Sequence, residues 1–246
     1  MAPTADPVLD PEAARIRLLF WNLRRPMGIH RGLVNLVHQL QPDVAACVEP
    51  GPNAAKNAAA YEAVLPGYSV EFLPRGILWI SRLDYRLVKR GKLEEAGAFA
   101  RLEVSLGQRR IEMLVADVTP HAFRSRRGQL AQALRDAGSH RDAILMGDLN
   151  TPAESVFLDA YRARFVSAFE AAGSGLRETW PMGMPLLNLD YVWVGRGWGI
   201  EECQKIARPA DSDHCALFVR LRRLRSDESD LSGDSRVPTT AGSTQH

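Results

Sequence analysis

Short apolar runs, each closed by a polar side chain, recur along this chain and set the strongest limit on its fold. The clearest is residues 143–146, which lead into Gly147-Asp148-Leu149-Asn150. A short apolar run of this kind is typical of a buried strand. Because alternate side chains of an extended segment point the same way, Asp148 and Asn150 would project together from the strand end. This pair suits a divalent ion or a water beside one, although a hydrogen-bonded turn is the commoner explanation for the motif alone.

Two further runs near the N-terminus follow the same pattern. Residues 16–21 form an apolar run that ends at Asn22, and residues 43–48 form another that ends at Glu49. Residues 32–40 lie between them and have apolar side chains at helical spacing, which predicts a helix. A strand, helix, strand order with a polar residue at each strand exit is an α/β pattern. Glu49 taken alone is equally well an ordinary loop carboxylate.

The middle of the chain changes character. The Ala-rich residues 54–64 are predicted to be helical, and a series of short strands follows, at residues 68–73, 77–81, 87–93, 99–104 and 111–118. Short strands in succession favour antiparallel pairing. Since α/β patterns flank this series, we predict a four-layer α/β sandwich, with two mixed β-sheets packed face to face and helices on the outside.

Further polar candidates stand beside predicted strands. His121 follows strand 111–118, where an ordinary surface histidine is the alternative. Asp190 interrupts the apolar strand 186–194, and a charge there costs several kcal/mol unless it is paired or metal-bound. We therefore expect Asp190 at a site or in a buried hydrogen bond to a histidine. Asp213 and His214 precede the strand 215–221 within Ser-Asp-His, a tripeptide of low specificity.

Composition limits the class of protein. The chain has 246 residues, of which 46% are hydrophobic and 24% charged, so it can bury a substantial core in one large domain. We predict a loose leader at 1–14, a single domain at 15–225, and a disordered polar tail at 226–246. The net charge of +2 is too small to indicate a nucleic-acid or membrane partner by itself.

Cysteine usage and hydropathy bear on the compartment. The three cysteines, Cys47, Cys203 and Cys215, have neither a disulfide pattern nor zinc-ligand spacing, which indicates reduced core residues of an intracellular protein. The N-terminus lacks the basic and then apolar pattern of a signal peptide. No apolar run approaches the roughly 18 residues of a membrane span. We therefore expect a cytoplasmic protein without a membrane span, and a monomer.

The polar residues at strand ends, taken in order, resemble those of the endonuclease/exonuclease/phosphatase superfamily. No single piece is specific, but their order is, and the resemblance spans residues 16 to about 222. The matching pieces are Phe20-Trp21-Asn22, Val48-Glu49, His121, Gly147-Asp148-Leu149-Asn150, Leu189-Asp190-Tyr191-Val192 and Ser212-Asp213-His214.

The resemblance implies a metal-dependent hydrolase of phosphoesters. It assigns Mg²⁺ to Glu49, with Asn22 and Asp213 close to the ion, and Mn²⁺ could substitute. Carboxylate and water ligation is what Mg²⁺ prefers. Deoxyribonuclease-like members carry a second Glu, a place that Glu71 does not clearly fill. Apurinic endonuclease-like members have an Asp where this chain has Arg24. A site with one metal ion is therefore expected.

The resemblance also assigns the proton transfers. His214 would accept the proton of the attacking water, and Asp190 would orient it and make it more basic. Asp148 and Asn150 would position the nucleophile, or a second ion, and the phosphate. His121 would bind a non-bridging oxygen or assist the leaving group.

Arginines near the predicted cleft suggest how the phosphate is held. Arg24 and Arg25 stand beside Asn22 and could grip a phosphate bidentately. The cluster of loop arginines is consistent with a polyanionic substrate, although a solvated surface would look the same. The arginines expected near the cleft are Arg24, Arg25, Arg75, Arg124, Arg126 and Arg127.

Substrate choice is the least constrained point. Phe123, Trp180 and Trp198 are the loop aromatics that could stack on a base. A nuclease, acting as an endonuclease or exonuclease, is the first prediction. The alternative is a phosphatase or phosphodiesterase of a small or lipid phosphoester. A catalytically inert binding protein on the same fold is disfavoured because the matched site residues are all present.

Overall fold

Two six-stranded β-sheets pack face to face, as the order of predicted elements implies. The computed structural model describes residues 14–73, 75–94, 96–120 and 126–224. Most of the predicted leader and all of the predicted tail lie outside these residues. No helix among the described residues is long and apolar enough to cross a membrane.

The elements within the described residues are numbered in chain order. The strands are β1 (Arg15–Asn22), β2 (Val44–Val48), β3 (Ser69–Leu73), β4 (Ile77–Ser81), β5 (Tyr85–Leu93), β6 (Gly97–Leu106), β7 (Arg109–Asp117), β8 (Ile144–Asp148), β9 (Phe165–Ser167), β10 (Asp190–Gly195), β11 (Trp198–Ile206) and β12 (Ala216–Arg223). The α-helices are α1 (Arg31–Leu40), α2 (Ala58–Val64), α3 (Arg126–Asp136), α4 (Asp159–Arg162) and α5 (Ala168–Ala172), with 3-10 turns at Ala54–Asn57 and Val156–Leu158.

Each sheet is mixed. The first has the order β11-β12-β1-β2-β4-β3 and the second β5-β6-β7-β8-β10-β9. The pairs β1–β2 and β7–β8 are parallel, and the other pairs are antiparallel. A parallel pair in the middle of each sheet brings two strand ends to the same edge, which is where the candidate site residues stand.

The core lies in three layers. Between the sheets, alternate side chains from both form one cluster, with Phe20, Trp79 and Met146 among its members. Outside the first sheet, α1 and α2 bury residues such as Leu36 against it. Outside the second, α3 and α4 do the same, with Tyr161 fully buried. This arrangement confirms the predicted four-layer sandwich.

The helix predicted at 32–40 is confirmed as α1, and its ends show why it forms there. The His30 side chain caps the N-terminus by accepting a hydrogen bond from the Leu33 amide. Gln41 closes the other end in the left-handed conformation, with its amide donating to Val37. Capping of both ends satisfies backbone groups that the helix itself leaves unpaired.

One sequence prediction of secondary structure was wrong in its bounds, and two strands were missed. The strand predicted at 186–194 begins only at Asp190, because Leu187 pairs with Trp180 in a hairpin instead. Strand β9 was missed because it has only three residues. Strand β11 was missed because it lies at a sheet edge, where its exposed positions carry polar side chains that break the apolar run.

We predict that Gly147→Ala destabilises the fold by about 1–3 kcal/mol, the usual cost of overpacking a close-packed site. A Cβ at Gly147 would lie 2.4 Å from the Ala116 carbonyl oxygen, a backbone atom that no rotamer change can move. The measurement is urea unfolding. Gly28→Ala is the matched control, since nothing lies within 4 Å of its Cβ, and it should change stability by less than about 0.5 kcal/mol. Equal stability of the two variants would contradict this packing argument.

Candidate active site

A cavity of about 350 Å³ opens at the sheet edge where the strand ends meet. Seven predicted site residues line it, and they come from both sheets and the loop before β12. They are Asn22, Arg24, Glu49, Asp148, Asn150, Asp213 and His214. Further lining side chains are Arg126, Trp180, Leu187 and Leu189, together with the two prolines Pro120 and Pro152.

His214 and Asp190 form a buried pair at the base of the cavity. His214 Nδ1 lies 2.8 Å from Asp190 Oδ2, and the Asp190 side chain is fully buried. Asp190 starts β10, where its amide and that of Leu189 both donate to Thr179 Oγ1. The other carboxylate oxygen of Asp190, Oδ1, is buried without a hydrogen-bond partner. The pair therefore fixes the imidazole ring and leaves one carboxylate oxygen free for a further ligand.

Backbone contacts hold the loop that carries His214. Trp21 Nε1 donates to the His214 carbonyl at 2.9 Å. Ser212 Oγ donates to the Asn22 carbonyl at 2.7 Å and accepts from the His214 amide. These bonds tie the loop before β12 to the end of β1, so that histidine and asparagine keep a fixed spacing.

Asp148 stands opposite His214 with both oxygens engaged. Asn22 Nδ2 donates to Oδ2 at 3.0 Å, and the Asn150 amide donates to Oδ1 at 3.0 Å. The same Oδ2 lies 3.9 Å from His214 Nε2. Asn150 donates from Nδ2 to the Val118 carbonyl at 2.7 Å. The distance between His214 Nε2 and Asp148 Oδ2 is therefore too long for a direct hydrogen bond, and a water could bridge the two atoms.

Two carboxylates on the side of the first sheet each face an arginine. Arg25 donates to Glu49 Oε1 at 2.8 Å, and Arg24 Nε lies 3.9 Å from Asp213 Oδ1. Trp180 Nε1 donates to Asp213 Oδ2 at 3.3 Å. Both predicted metal-binding carboxylates thus face an arginine.

Left-handed backbone conformations concentrate around the cavity. Arg24, Arg25, Glu49 and Asn150 all have positive φ, between 46° and 55°. Such residues cost free energy unless the surroundings fix them, and they cluster at functional sites. Backbone bonds from Leu23 to Val48 and from Arg25 to Glu49 fix two of the turns.

Three carboxylates stand side by side on adjacent strands. The register aligns Asp117 of β7 with Asp148 of β8, and Asp148 with Asp190 of β10. Burial and the charge of Asp190 raise the pKa of Asp148 well above its usual range. Burial and the charge of Glu49 raise the pKa of Asp117 to about 7. Three neighbouring carboxylates repel one another, and bound protons or a cation would reduce this repulsion.

His214 responds to the same charges. Burial lowers the pKa of its imidazole, but Asp190, Asp148 and Asp213 together raise it to about 9. A nearby carboxylate favours the charged form of a histidine, which is the effect seen here. A cation placed among the acids would counter this rise and return the imidazole toward neutrality.

The donor set fits a divalent metal ion. Asp148, Asp190 and His214 offer ligand atoms within 4.8 Å of one another, and all three residues are buried. The buried, unpartnered Asp190 Oδ1 adds an oxygen that a cation would satisfy. Glu49 and Asp213, predicted to bind the metal, line the same cavity. Carboxylate and amide oxygens around a water-accessible cavity are typical of Mg²⁺ or Mn²⁺ sites.

The structure brings most of the predicted site residues together and leaves out a few. Asp190 lies behind His214, and Arg25 lies against Glu49 rather than in the cavity lining. His121 and Arg124, and also Phe123, lie outside the described residues. Glu71 is absent from the cavity lining. Burial and the charge of Glu71 raise the pKa of Tyr85.

Three details differ from the sequence predictions. Trp198 is not a loop residue but a buried one in β11, where Nε1 donates to the Asp142 carbonyl. Its indole packs into the core between the sheets and cannot stack on a substrate. Arg126 and Arg127 lie in α3 rather than on a loop, and only Arg126 lines the cavity. Arg75 is exposed and does not line it.

Sequence reasoning missed Asp117 and Thr179. Asp117 is the last residue of β7, and its position after an apolar run was a usable signal that the next residues obscured. Thr179 accepts two backbone hydrogen bonds beside Asp190 and is fully buried. Nothing in the local sequence marks such a role, since it depends on the hairpin that brings Thr179 beside the start of β10.

Comparisons with known proteins agree with this geometry. A model of the endonuclease/exonuclease/phosphatase family matches residues 19–214. No curated protein matches the chain at a significant level. Among solved structures, a Bacteroides thetaiotaomicron protein of the same family superposes with a TM-score of 0.70 at 15% identity, over 87% of this chain and 100% of that one.

Two other solved structures share the fold. TDP2 of D. rerio, solved with a single-strand DNA product, has a TM-score of 0.66 at 15% identity and covers 85% of this chain and 99% of its own. A mannosyl-6-phosphatase of Bacteroides thetaiotaomicron has a TM-score of 0.65 at 15% identity, with 84% and 99% covered. At such identities the likeness establishes the fold alone.

We predict that Mg²⁺ stabilises this protein more strongly at pH 9 than at pH 6.5. Folding raises the pKa of His214 from 6.5 to about 9 and that of Asp117 from 3.8 to about 7. The stability from these bound protons is present below the lower value of each pair and is lost as pH rises through the upper one. Each proton bound only by the folded state changes stability by about 1.4 kcal/mol per pH unit.

The measurement is the shift in Tm that Mg²⁺ causes, taken across this pH range. Protons and the cation compete for the same acids, so the shift should grow with pH. His38→Ala, at an exposed histidine, is the control and should keep the dependence. A shift that does not vary with pH would show that the cation binds elsewhere.

Proposed function

The chain belongs to the endonuclease/exonuclease/phosphatase family, and we propose that it is a Mg²⁺-dependent nuclease that hydrolyses phosphodiester bonds. Members of this family are phosphoester hydrolases, and this chain is one of them. The observation that carries the proposal is the buried His214–Asp190 pair. His214 Nε2 faces Asp148 in a cavity that Arg24 and Arg126 help to line.

Glu49, Asp213 and Asn22 would hold the Mg²⁺ ion, which Mn²⁺ could replace. The buried group of Asp148, Asp190 and His214 would then stay free for proton transfer and positioning. The bound ion would neutralise charge on the phosphoryl oxygens and stabilise the leaving oxygen. Asp148 and Asn150, on the second sheet's side of the cavity, would position the nucleophile and the phosphate. Their hydrogen bonds to Asn22 and Val118 support a positioning role for both residues.

His214 is proposed to be the general base. With Nδ1–H donating to Asp190, Nε2 is left to accept a proton from a water in the cavity. Asp148 lies 3.9 Å from Nε2, so the same water can donate to both groups. Asp190 then stabilises the imidazolium that forms, as in other carboxylate–imidazole pairs.

Arginines and aromatic surface support a nucleic-acid substrate. Arg24 and Arg126 line the cavity and can hold phosphoryl oxygens, with Arg25 close by at Glu49. The Trp180 ring stands beside the His214 ring, with 6.3 Å between their centroids, where a base or sugar could pack. His121 and Arg124 lie outside the described residues. His121 is proposed to bind a non-bridging oxygen or assist the leaving group, Arg124 to bind the phosphate, and Asn150 to orient it.

A small phosphomonoester is the second candidate substrate. The volume of the cavity, about 350 Å³, falls in the range of small-molecule sites. A neighbour of the same fold is a mannosyl-6-phosphatase. Hydrolysis should therefore be measured on single-stranded DNA, duplex DNA, RNA, and small phosphomonoesters and diesters. Cleavage of polynucleotides supports the nuclease, and release of phosphate from monoesters alone supports the second candidate.

We predict that His214→Ala keeps the fold and lowers the hydrolysis rate by at least about a hundredfold, because it removes the proton acceptor. The measurement is turnover of the best substrate in Mg²⁺, with circular dichroism to check folding. His38→Ala removes an exposed histidine outside the cavity and is the matched control. Turnover of His214→Ala at the wild-type rate would refute the assignment of the base.

Removal of metal is expected to abolish hydrolysis. EDTA would leave the acids that line the cavity without a divalent counter-charge, so the phosphoryl oxygens would meet net negative charge. Activity should return with Mg²⁺ or Mn²⁺ in excess over the chelator. Full activity in excess EDTA would remove the ion from the mechanism.

A further inference from the structure

A groove of about 600 Å³ lies between helix α3 and the segment that leads into α4, and we call it the α3 groove. Arg127 and Arg135 line it from α3. Val156, Phe157 and Tyr161 line it from the 3-10 turn before α4 and from α4 itself. Within the described residues, the two arginines are its only charged side chains. The α3 groove therefore combines an apolar surface with positive charge at two points.

The α3 groove adjoins the catalytic cavity. Arg126 lines the cavity, and Arg127, the next residue along α3, lines the groove. On the other wall Pro152 lines the cavity, and its carbonyl accepts a hydrogen bond from the Ser155 amide at 3.0 Å. That turn leads directly into Val156 of the groove. Since the same two segments line both spaces, a strand that leaves the cavity between them enters the α3 groove.

Arg127 and Arg135 are free to bind an anion. Both are exposed, and neither guanidinium forms an ion pair or a hydrogen bond with the residues that the structure describes. Two nearby arginines are committed instead. Arg162 forms an ion pair within α4 at 3.1 Å, and Arg164 donates to a carbonyl of α3 at 2.8 Å. The positive charge of the α3 groove is therefore not offset by a neighbouring carboxylate.

The spacing of the two groove arginines suits a polyanionic strand. Arg127 and Arg135 stand eight residues apart on α3, which corresponds to about 12 Å along the helix axis. A nucleic-acid strand carries one negative charge per roughly 3.4 Å of its axis, so this distance spans about three to four phosphates. A polynucleotide therefore offers negative charge over the length that the groove provides.

Phe157 presents an aromatic ring to the groove. It is 43% exposed, and Val156 beside it is 72% exposed. Ser155 Oγ accepts from the Phe157 amide at 3.3 Å, and the Tyr161 hydroxyl donates to the Leu130 carbonyl of α3 at 2.8 Å. These bonds fix the turn and join α4 to α3, so the ring stands on a fixed backbone. Aromatic rings in positively charged grooves stack on the bases of single-stranded nucleic acid, because every base has a π-face.

We propose that the α3 groove binds single-stranded nucleic acid that continues from the phosphodiester in the catalytic cavity. Arg127 and Arg135 hold backbone phosphates, and Phe157 stacks on a base. A duplex is disfavoured because neighbouring base pairs cover its base faces. This inference rests on the proposed nuclease function, and it adds that the substrate is a single strand longer than the cavity alone holds.

The first test is the salt dependence of binding, measured by fluorescence anisotropy on a labelled oligodeoxythymidylate about ten nucleotides long, within the usual range of site sizes. The His214→Ala variant in EDTA serves as the parent, so that the strand stays intact. Arg127→Ala and Arg135→Ala should each lower the slope of log Kd against log salt by about 0.7, and the double variant by about 1.4. Arg31→Ala is the matched control and should keep the slope, because Arg31 is an exposed arginine of α1 in the opposite outer layer.

The second test separates stacking from charge. Phe157→Ala should raise the Kd for the strand about five- to a hundredfold at fixed salt, with no change in the slope, since it removes a stacking partner. Its Kd for duplex DNA should not change. Phe157→Trp keeps an aromatic ring and should bind the strand like the parent. Val64→Ala, at an apolar residue of α2 that is 40% exposed, is the control and should leave Kd unchanged.

Two results would overturn the inference. One is an unchanged slope in the double arginine variant, which would leave the α3 groove to another partner, such as an acidic protein segment. The other is a loss of affinity in Phe157→Ala that is equal for single-stranded and duplex DNA. Because Arg127 and Arg135 are exposed, their variants should fold even if Phe157→Ala does not, which circular dichroism checks.

Turnover distinguishes failure of this inference from failure of the proposed function. The double arginine variant in the wild-type background should raise KM for a single-stranded polynucleotide with a smaller change in kcat, because the base and the metal ligands remain. Cleavage of polynucleotides with an unchanged KM would refute the inference and leave the nuclease standing. Release of phosphate from small monoesters alone would refute both.

Discussion

The buried hydrogen bond between Asp190 and His214 is the interaction on which the rest of the site depends. A fully buried carboxylate is unfavourable unless a partner offsets its lost hydration, and the imidazole at 2.8 Å supplies that partner. The pair joins the start of β10 to the loop before β12, which belong to different sheets. Thr179 and Trp21 fix the two backbones that carry it. The imidazole is thus held with one nitrogen committed and the other directed into the cavity.

Sheet register then places the remaining charges. Strands β7, β8 and β10 end or begin at one level, so Asp117, Asp148 and Asp190 stand in a row facing the opposite sheet. From that sheet come Glu49 and the arginine that pairs with it. The row is electrostatically unfavourable in the absence of a cation, as the raised pKa values of Asp117 and Asp148 show. Stability is given up here in a row of acids whose repulsion protons or a cation would offset.

The sequence predicted the architecture well because each strand carries its own signal. Short apolar runs closed by polar residues gave β1, β2 and β8 within a residue or two, and their order gave the sandwich. The edge strand β11 was missed because the sequence of a half-exposed edge strand has no continuous apolar run. At the site, the cost of a charge in an apolar strand predicted that Asp190 lies at a site or bonds to a histidine, and the family resemblance predicted that this histidine is His214. The place of Asp117 was not, because it follows from register between strands, which no single segment specifies.

The most direct test of the account is the rate of Mg²⁺-dependent hydrolysis by Asp190→Asn beside the wild type, on the best substrate found. Asparagine keeps the shape of the side chain but removes the charge that orients the imidazole and stabilises its protonated form. The account predicts a folded variant with a rate at least about a hundredfold lower. A folded variant that hydrolyses at the wild-type rate would contradict it, because the buried pair would then have no part in the chemistry.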